Sequence, residues 1–331
     1  MAPMPVLAFT SKNPEKQAKF RAMVEESGVL RDKVDLIISS SEEEALAALP
    51  EVEVFLCYRF PPEWLPKAKK LKWLHVGWAG MDHVLTPELL KSNIRLTNAR
   101  GIHVDVQSDC LIGLMVMWSR KLLWADRFRR DRMWQEWRKP MVMQGFPLKG
   151  RVLLIIGLGA IGKTLAKKAN GMEMAVHGIK RHAEAGNQFQ YVRKMWEPRD
   201  LNEALGQVDF VVPLVPLTPE TRGMFGRELF QKMKPTAFFI NTSRGQVVDE
   251  RALIYALEEK WIAGAALDVF QEEPLPQDSP LWDMDNVILT PHIGGNYPEY
   301  TMDVYRQFVV NLENYVRGEP LDNEVNKELW Y

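Results

Sequence analysis

The sequence predicts an α/β fold of doubly wound parallel sheets, and three observations carry that prediction. Short, almost wholly apolar runs alternate with polar stretches of helical character, which favours parallel strands with helices on both faces. The alternation occurs twice, before and after a long helical segment at 105–130. The length, 331 residues, suits two domains, each able to bury a core of its own.

In the first series, the runs at 6–9, 34–38, 54–58, 73–76 and 94–97 read as buried strands. Helices are expected at 14–26 and 42–48; Pro14 suits a first helical position, where its missing N–H costs nothing. The segment 105–130 carries no Pro and no evident break, so one continuous helix is expected there. A Trp- and Arg-rich stretch, DRMWQEWRKP, follows, and QGFPLKG (144–150) reads as a turn into the second series. That series places strands at 151–157, 175–179, 208–212, 237–241, 263–267 and 287–289. Helices are expected at 160–170, 227–233, 250–260 and, finally, 300–317.

Composition excludes several classes. A net charge of −1 offers no electrostatic footprint for nucleic acid or a membrane surface. Cys57 and Cys110 are distant and fit no disulfide framework or zinc site, which favours a reduced, cytoplasmic setting. The start, MAPMPVLAFTSKNPEK, does not read as a signal peptide, and no apolar stretch is long enough for a membrane helix. No metal-ligand spacing is present, and no metal is expected.

GLGAIG (Gly157, Leu158, Gly159, Ala160, Ile161, Gly162) matches GxGxxG, a weak signal alone. Here an apolar strand leads into it and a helix leads out, the context of a dinucleotide site. Gly157 permits the tight turn, Gly159 lets backbone N–H groups approach a pyrophosphate, and Gly162 lets the helix pack against the strand. The helix N-terminus then favours phosphate charge. A Gly-rich turn without ligand is the competing reading. At the end of the next strand, where an NAD enzyme places an acid for the ribose 2′-hydroxyl, stand Lys180 and Arg181. Two cations suit a 2′-phosphate, so NADP(H) is expected over NAD(H), with NAD(H) still admissible. The competing reading is two solvated loop charges.

Three later segments, NTSRGQVVDE (241–250), ALDVFQEEPLP (266–276) and LTPHIGG (289–295), follow GLGAIG in order. Together with VGWAGMDHV, TNARG, LKG and VPLTPETRGMF they resemble the D-isomer-specific 2-hydroxyacid dehydrogenase family over nearly the whole chain. The resemblance implies two Rossmann-like domains, a flavodoxin-like substrate domain at 1–104 plus 293–331 and an NAD(P)-binding domain at 105–292, with catalysis in their cleft.

It also implies roles. Arg244 would bind the substrate carboxylate and polarise the keto oxygen. His292 would be the general acid, and Glu273, directly before Pro274, its partner rather than the neighbouring Glu272. Asp268 would hold the nicotinamide carboxamide. Leu214, Val215, Pro216, Thr221, Thr242, Ser243, Arg244, His292 and Gly294 complete the implied cofactor contacts. The chemistry agrees independently: hydride addition builds negative charge on oxygen, so the site needs a proton and a fixed cation. Each of these residues alone would more often be an ordinary loop residue; their joint, ordered occurrence is what points to catalysis.

For the substrate, backbone N–H groups of Ala79, Gly80 and Met81 are implied, with Tyr58 and Arg59 as candidates for lining the pocket. An ordinary strand-to-helix turn and a plain surface loop are the alternatives. A homodimer is implied, and Trp134 or Trp137 either reaches a partner's pocket or packs the interface. Ser108–Asp109 replaces the family's usual Ala–Glu pair. The reaction so implied is reduction of small 2-keto acids, glyoxylate and hydroxypyruvate first, to D-2-hydroxy acids. A dehydrogenase of a bulkier branched or aromatic acid is the alternative, and a dinucleotide-sensing scaffold is the alternative outside enzymes.

Overall fold

Continuous burial along the central strands explains the architecture. A computed structural model of the chain describes residues 2–134, 144–181 and 189–331. It divides into two compact units, Met1–Ile102 with Tyr297–Tyr331, and His103–Asn296.

In the first unit, strands β1 (Met4–Phe9), β2 (Val34–Ser39), β3 (Val54–Cys57), β4 (Trp73–Val76) and β5 (Arg95–Asn98) form a parallel sheet in the order β2-β1-β3-β4-β5. Odd and even residues serve opposite faces, and both faces are apolar. Val6, Ala8, Val54, Leu56 and Trp73 pack with Phe20 of helix α1 (Pro14–Glu26). Leu7, Phe55, Cys57, Leu74 and Val76 pack with Ala45 of α2 (Glu42–Ala48) and Leu89 of α3 (Pro87–Lys91). Asn13 caps α1 by accepting from the N–H of Glu15 and Lys16.

In the second unit seven parallel strands run in the order β12-β11-β10-β9-β6-β7-β8. They are β6 (Val152–Ile156), β7 (Ala175–Ile179), β8 (Lys194–Trp196), β9 (Phe210–Pro213), β10 (Phe238–Asn241), β11 (Gly264–Leu267) and β12 (Val287–Leu289). Leu153, Ile155, Phe210, Val212, Phe238 and Ile240 face α4 (Val104–Ser119) and α6 (Ala160–Gly171), with α5 (Leu122–Asp131) following α4. Leu154, Ile156, Val211, Phe239 and Ala265 face α7 (Leu201–Leu205), α8 (Arg227–Lys232) and α9 (Glu250–Glu258). The last helix, α10 (Tyr300–Arg317), returns to the first unit, where Tyr305 stacks on Phe20 at 4.3 Å and Phe308 on Trp73 at 5.2 Å.

The expected continuous helix at 105–130 is two helices. Lys121 adopts the left-handed conformation (φ 57°), which ends α4 and starts α5 in a new direction. Its ammonium rests 3.7 Å over the Trp118 ring, and Trp118 is itself stacked on Phe238 at 4.4 Å. Tyr58 lies beyond β3, and Val208 precedes β9. Helices α3 and α7 and the edge strand β8 were not expected from the sequence. Trp134 is 88% exposed, whereas Trp137 falls outside the described residues. Among the described residues no helix is long and apolar enough to cross a membrane.

Candidate active site

All implied catalytic and cofactor residues lie just beyond the C-terminal ends of β6, β7, β9, β10, β11 and β12, one edge of one parallel sheet. The strand order reverses between β6 and β9, where such sheets bind ligands.

The turn after β6 is built for close approach. Gly157 has φ +108°, and a Cβ there would stand 2.4 Å from the Leu214 carbonyl oxygen. A Cβ on Gly162 would stand 2.3 Å from the Gly157 carbonyl oxygen, so this glycine sets α6 against β6. At Gly159 the same position meets nothing within 4 Å, and no side chain caps α6. The N-terminal N–H groups of a twelve-residue helix thus face open space, which fits a dinucleotide pyrophosphate.

Ile179 pairs with Ile156, so Lys180 follows directly beside the glycine turn. The ammonium groups of Lys163 and Lys180 lie 5.6 and 5.5 Å from the Phe189 ring. Arg181 is exposed and close enough to Glu220 to join Thr218 in holding that carboxyl below its ordinary range. Lys163, one residue after the fingerprint, was not among the residues singled out from the sequence.

Leu214, Val215 and Pro216 leave β9. Thr221 is committed within this loop: its hydroxyl donates to the Pro216 carbonyl (2.6 Å) and accepts from the Thr218 N–H (2.8 Å). These bonds fix the shape of the loop that follows β9. After β10, Asn241 accepts from Ser243 and donates to the Arg244 carbonyl at 2.9 Å. Thr242 is buried, its carbonyl accepting from Gln107 of α4 at 2.7 Å. A Cβ on Gly245 would fall 1.8 Å from the Phe270 carbonyl oxygen. Glycine there lets the Arg244 loop lie against the segment that carries Glu273.

The Arg244 guanidinium donates to the Ser243 carbonyl at 2.7 Å, and its charge is felt by His103, Glu273 and His292. His292 Nδ1 and Glu273 Oε2 are 2.7 Å apart, with the side chains 51% and 35% exposed. An ionised carboxylate only accepts, so Nδ1 carries a proton and Nε2 is the titrating position. Glu273 Oε1 accepts from the Phe270 N–H at 3.0 Å. The hydrogen bond to Glu273 raises His292 above its ordinary 6.5, against burial and the charge of Arg244. Burial alone would raise Glu273; the hydrogen bonds from His292 and the Phe270 N–H, with the nearby cations, outweigh it and hold the carboxyl low.

Asp268, 1% exposed, organises the histidine loop. Its carboxylate accepts from Thr290 Oγ1 (2.6 Å), Ile293 N–H (2.9 Å) and Gly294 N–H (2.9 Å), and its carbonyl accepts from His292 N–H (2.8 Å). These bonds hold His292 in the left-handed conformation (φ 53°), a strained backbone typical of functional positions. Ser108 is buried, and Asp109 pairs with Lys168 at 2.7 Å, so the Ser–Asp variation serves helix packing.

In the first unit, Ala79, Gly80 and Met81 follow β4. Met81 is 3% exposed within the core, which leaves only its backbone for a ligand. Arg59 is exposed. Tyr58 is partly buried: its ring occupies the space beside Gly77, and its hydroxyl is buried.

A profile of the D-isomer specific 2-hydroxyacid dehydrogenase NAD binding domain matches residues 112–294. A glyoxylate reductase of Thermofilum pendens is 34% identical over 312 residues, covering 91% of each chain. One of Thermococcus litoralis is 37% identical over 310 residues, 91% of this chain and 87% of that one. The solved structure of an NADPH-dependent glyoxylate/hydroxypyruvate reductase from Sinorhizobium meliloti, in complex with NADP and sulfate, aligns with a TM-score of 0.83 at 26% identity, over 99% of this chain and 100% of that chain. The chain belongs to the D-isomer-specific 2-hydroxyacid dehydrogenase family and is an NAD(P)-dependent oxidoreductase.

Proposed function

We propose that this protein reduces small 2-keto acids, glyoxylate and hydroxypyruvate among them, to D-2-hydroxy acids with NADPH as the preferred cofactor. The observation that carries the reading is the His292–Glu273 pair at 2.7 Å beside the cation of Arg244. When bound, the nicotinamide supplies the hydride that adds to the keto carbon. His292 Nε2 gives a proton to the keto oxygen, and Glu273 steadies the imidazolium before that transfer. Arg244 holds the substrate carboxylate and polarises the ketone, and the backbone of Ala79, Gly80 and Met81 supplies further N–H donors to the carboxylate. Gly157 to Gly162 hold the pyrophosphate, Lys180 and Arg181 the 2′-phosphate, and Asp268 both anchors His292 and offers an acceptor to the carboxamide.

Curated relatives bearing the name glyoxylate reductase, and NADP in the Sinorhizobium meliloti structure, support the substrate class and the cofactor. The test is NADPH oxidation with a panel of 2-keto acids, repeated with NADH. Turnover of glyoxylate or hydroxypyruvate, faster with NADPH, is expected; turnover of only branched or aromatic acids would favour the bulkier-substrate reading. A homodimer is also proposed, supported by Leu122 and Leu123, 47% and 40% exposed on α5. Sedimentation equilibrium reads it directly, and a single-chain mass contradicts it.

A further inference from the structure

The turn after β4 holds a feature that the reaction above does not use. Trp78, immediately before Ala79, Gly80 and Met81, is 41% exposed, yet two aromatic rings pack against it. Tyr58 stands edge-on to its indole at 5.0 Å, and Tyr300 of α10 packs on it at 5.4 Å. The Tyr300 hydroxyl donates to the Gly77 carbonyl at 2.8 Å. A Cβ on Gly77 would meet the Tyr58 ring at 2.6 Å, so the ring fills the side-chain space of the residue before the indole. On the other side, the Trp78 carbonyl accepts from the Ala99 N–H at 3.1 Å, and the Ala79 carbonyl accepts from Asn98 Nδ2 at 2.7 Å.

The backbone is thus pinned before and after Trp78, and its indole is held between two tyrosines with much of its surface in the open. An ordered, exposed aromatic group has already lost its rotamer freedom and offers a large apolar surface to a ligand at little further entropic cost. The neighbouring N–H groups take a carboxylate in the reading above, on which this inference rests. An indole one residue away would then be within reach of the carbon skeleton attached to that carboxylate.

We infer that Trp78, braced by Tyr58 and Tyr300, selects among 2-keto acids by contact with the apolar substituent on the keto carbon. Tyr58 is a positioning residue that acts through Gly77 and Trp78. Glyoxylate carries only hydrogen at that position and gains nothing from the indole, whereas an isobutyl substituent gains contact.

The experiment compares kcat/KM for glyoxylate and for 4-methyl-2-oxopentanoate in wild type, Trp78→Ala, Trp78→Phe, Tyr58→Ala and Tyr58→Phe, with the Kd for NADPH measured alongside. Trp78→Ala is expected to lower the ratio of the branched acid to glyoxylate by about tenfold or more, the scale of a few methylenes in an apolar contact. Glyoxylate kinetics and the NADPH Kd should hold within about threefold. Tyr58→Ala should shift the ratio in the same direction. Tyr58→Phe should keep it, because the buried hydroxyl makes no hydrogen bond of good geometry among the described residues, and Trp78→Phe should fall between. A ratio unchanged in Trp78→Ala, or moved toward the branched acid, overturns the inference, as does an equal loss on both acids. A wild type that reduces glyoxylate but not the branched acid also overturns the inference, whereas one that reduces neither acid nor hydroxypyruvate refutes the reaction itself, a distinct result.

Discussion

Replacing His292 with Ala is expected to lower kcat by about 10²–10⁴-fold, the usual contribution of a positioned general acid. The Kd for NADPH should move by less than about threefold, because the phosphate-binding turn lies after β6 and the histidine loop after β12, strands at separate places in the sheet. The size of the effect follows from geometry. Nδ1 is committed to Glu273 at 2.7 Å, so Nε2 is the one ring nitrogen left to deliver a proton. Four hydrogen bonds to Asp268 hold the loop that presents it. Alanine keeps the backbone bonds to Asp268 and removes the imidazole, and with it the proposed proton donor and its hydrogen bond to Glu273. Steady-state turnover with a fluorescence titration of NADPH measures both quantities, and a variant retaining near-normal turnover would remove His292 from the chemistry.

The second large effect concerns cofactor choice. A Lys180→Ala/Arg181→Ala double variant is expected to weaken NADPH by about 10²-fold or more, on the scale of losing charge-assisted hydrogen bonds to a phosphate. NADH should weaken by less than about threefold, since a bare ribose hydroxyl gives these cations no charge to neutralise. The register Ile156↔Ile179 places Lys180 beside the glycine turn, where the proposed site would meet the adenosine ribose. Arg181 has an acidic neighbour in Glu220, and Lys163 and Lys180 converge on Phe189. Titration of wild type and variant with both dinucleotides decides the matter: equal weakening of the two would make these residues general surface charges.

The parallel strands were legible because burial on both faces leaves continuous apolar runs, as in VLLII of β6 and VFLC of β3. Edge strand β8 was not, since three residues, KMW, carry no measurable period. The break at Lys121 was hidden because no Gly or Pro marks it; a left-handed lysine secured on Trp118 does the work instead. The site divides in the same way. Glycines 157 and 162 and the Arg, Glu and His motifs sit in short local patterns, which is why the sequence offers them as candidates. Gln107 reaches Thr242 across 135 positions, and Asp268 binds Thr290, Ile293 and Gly294 more than twenty residues on. Contacts of that span leave no local spacing to read. The packing of Tyr58 is hidden for the same reason: its ring fills the side-chain space of Gly77 on the adjacent strand's turn.

The most direct test of the account is the pH dependence of kcat for keto-acid reduction in wild type and in Glu273→Gln. Glu273 raises the pKa of His292 above its ordinary 6.5, and in the proposed mechanism reduction needs the protonated imidazole. Activity should therefore be full below that raised pKa and fall as pH rises through it. Glutamine removes the negative charge while burial and Arg244 continue to disfavour the imidazolium. The descending limb should then move to lower pH, with a reduced plateau. A limb that stays in place in Glu273→Gln would contradict the assignment of the His292–Glu273 pair as the proton donor.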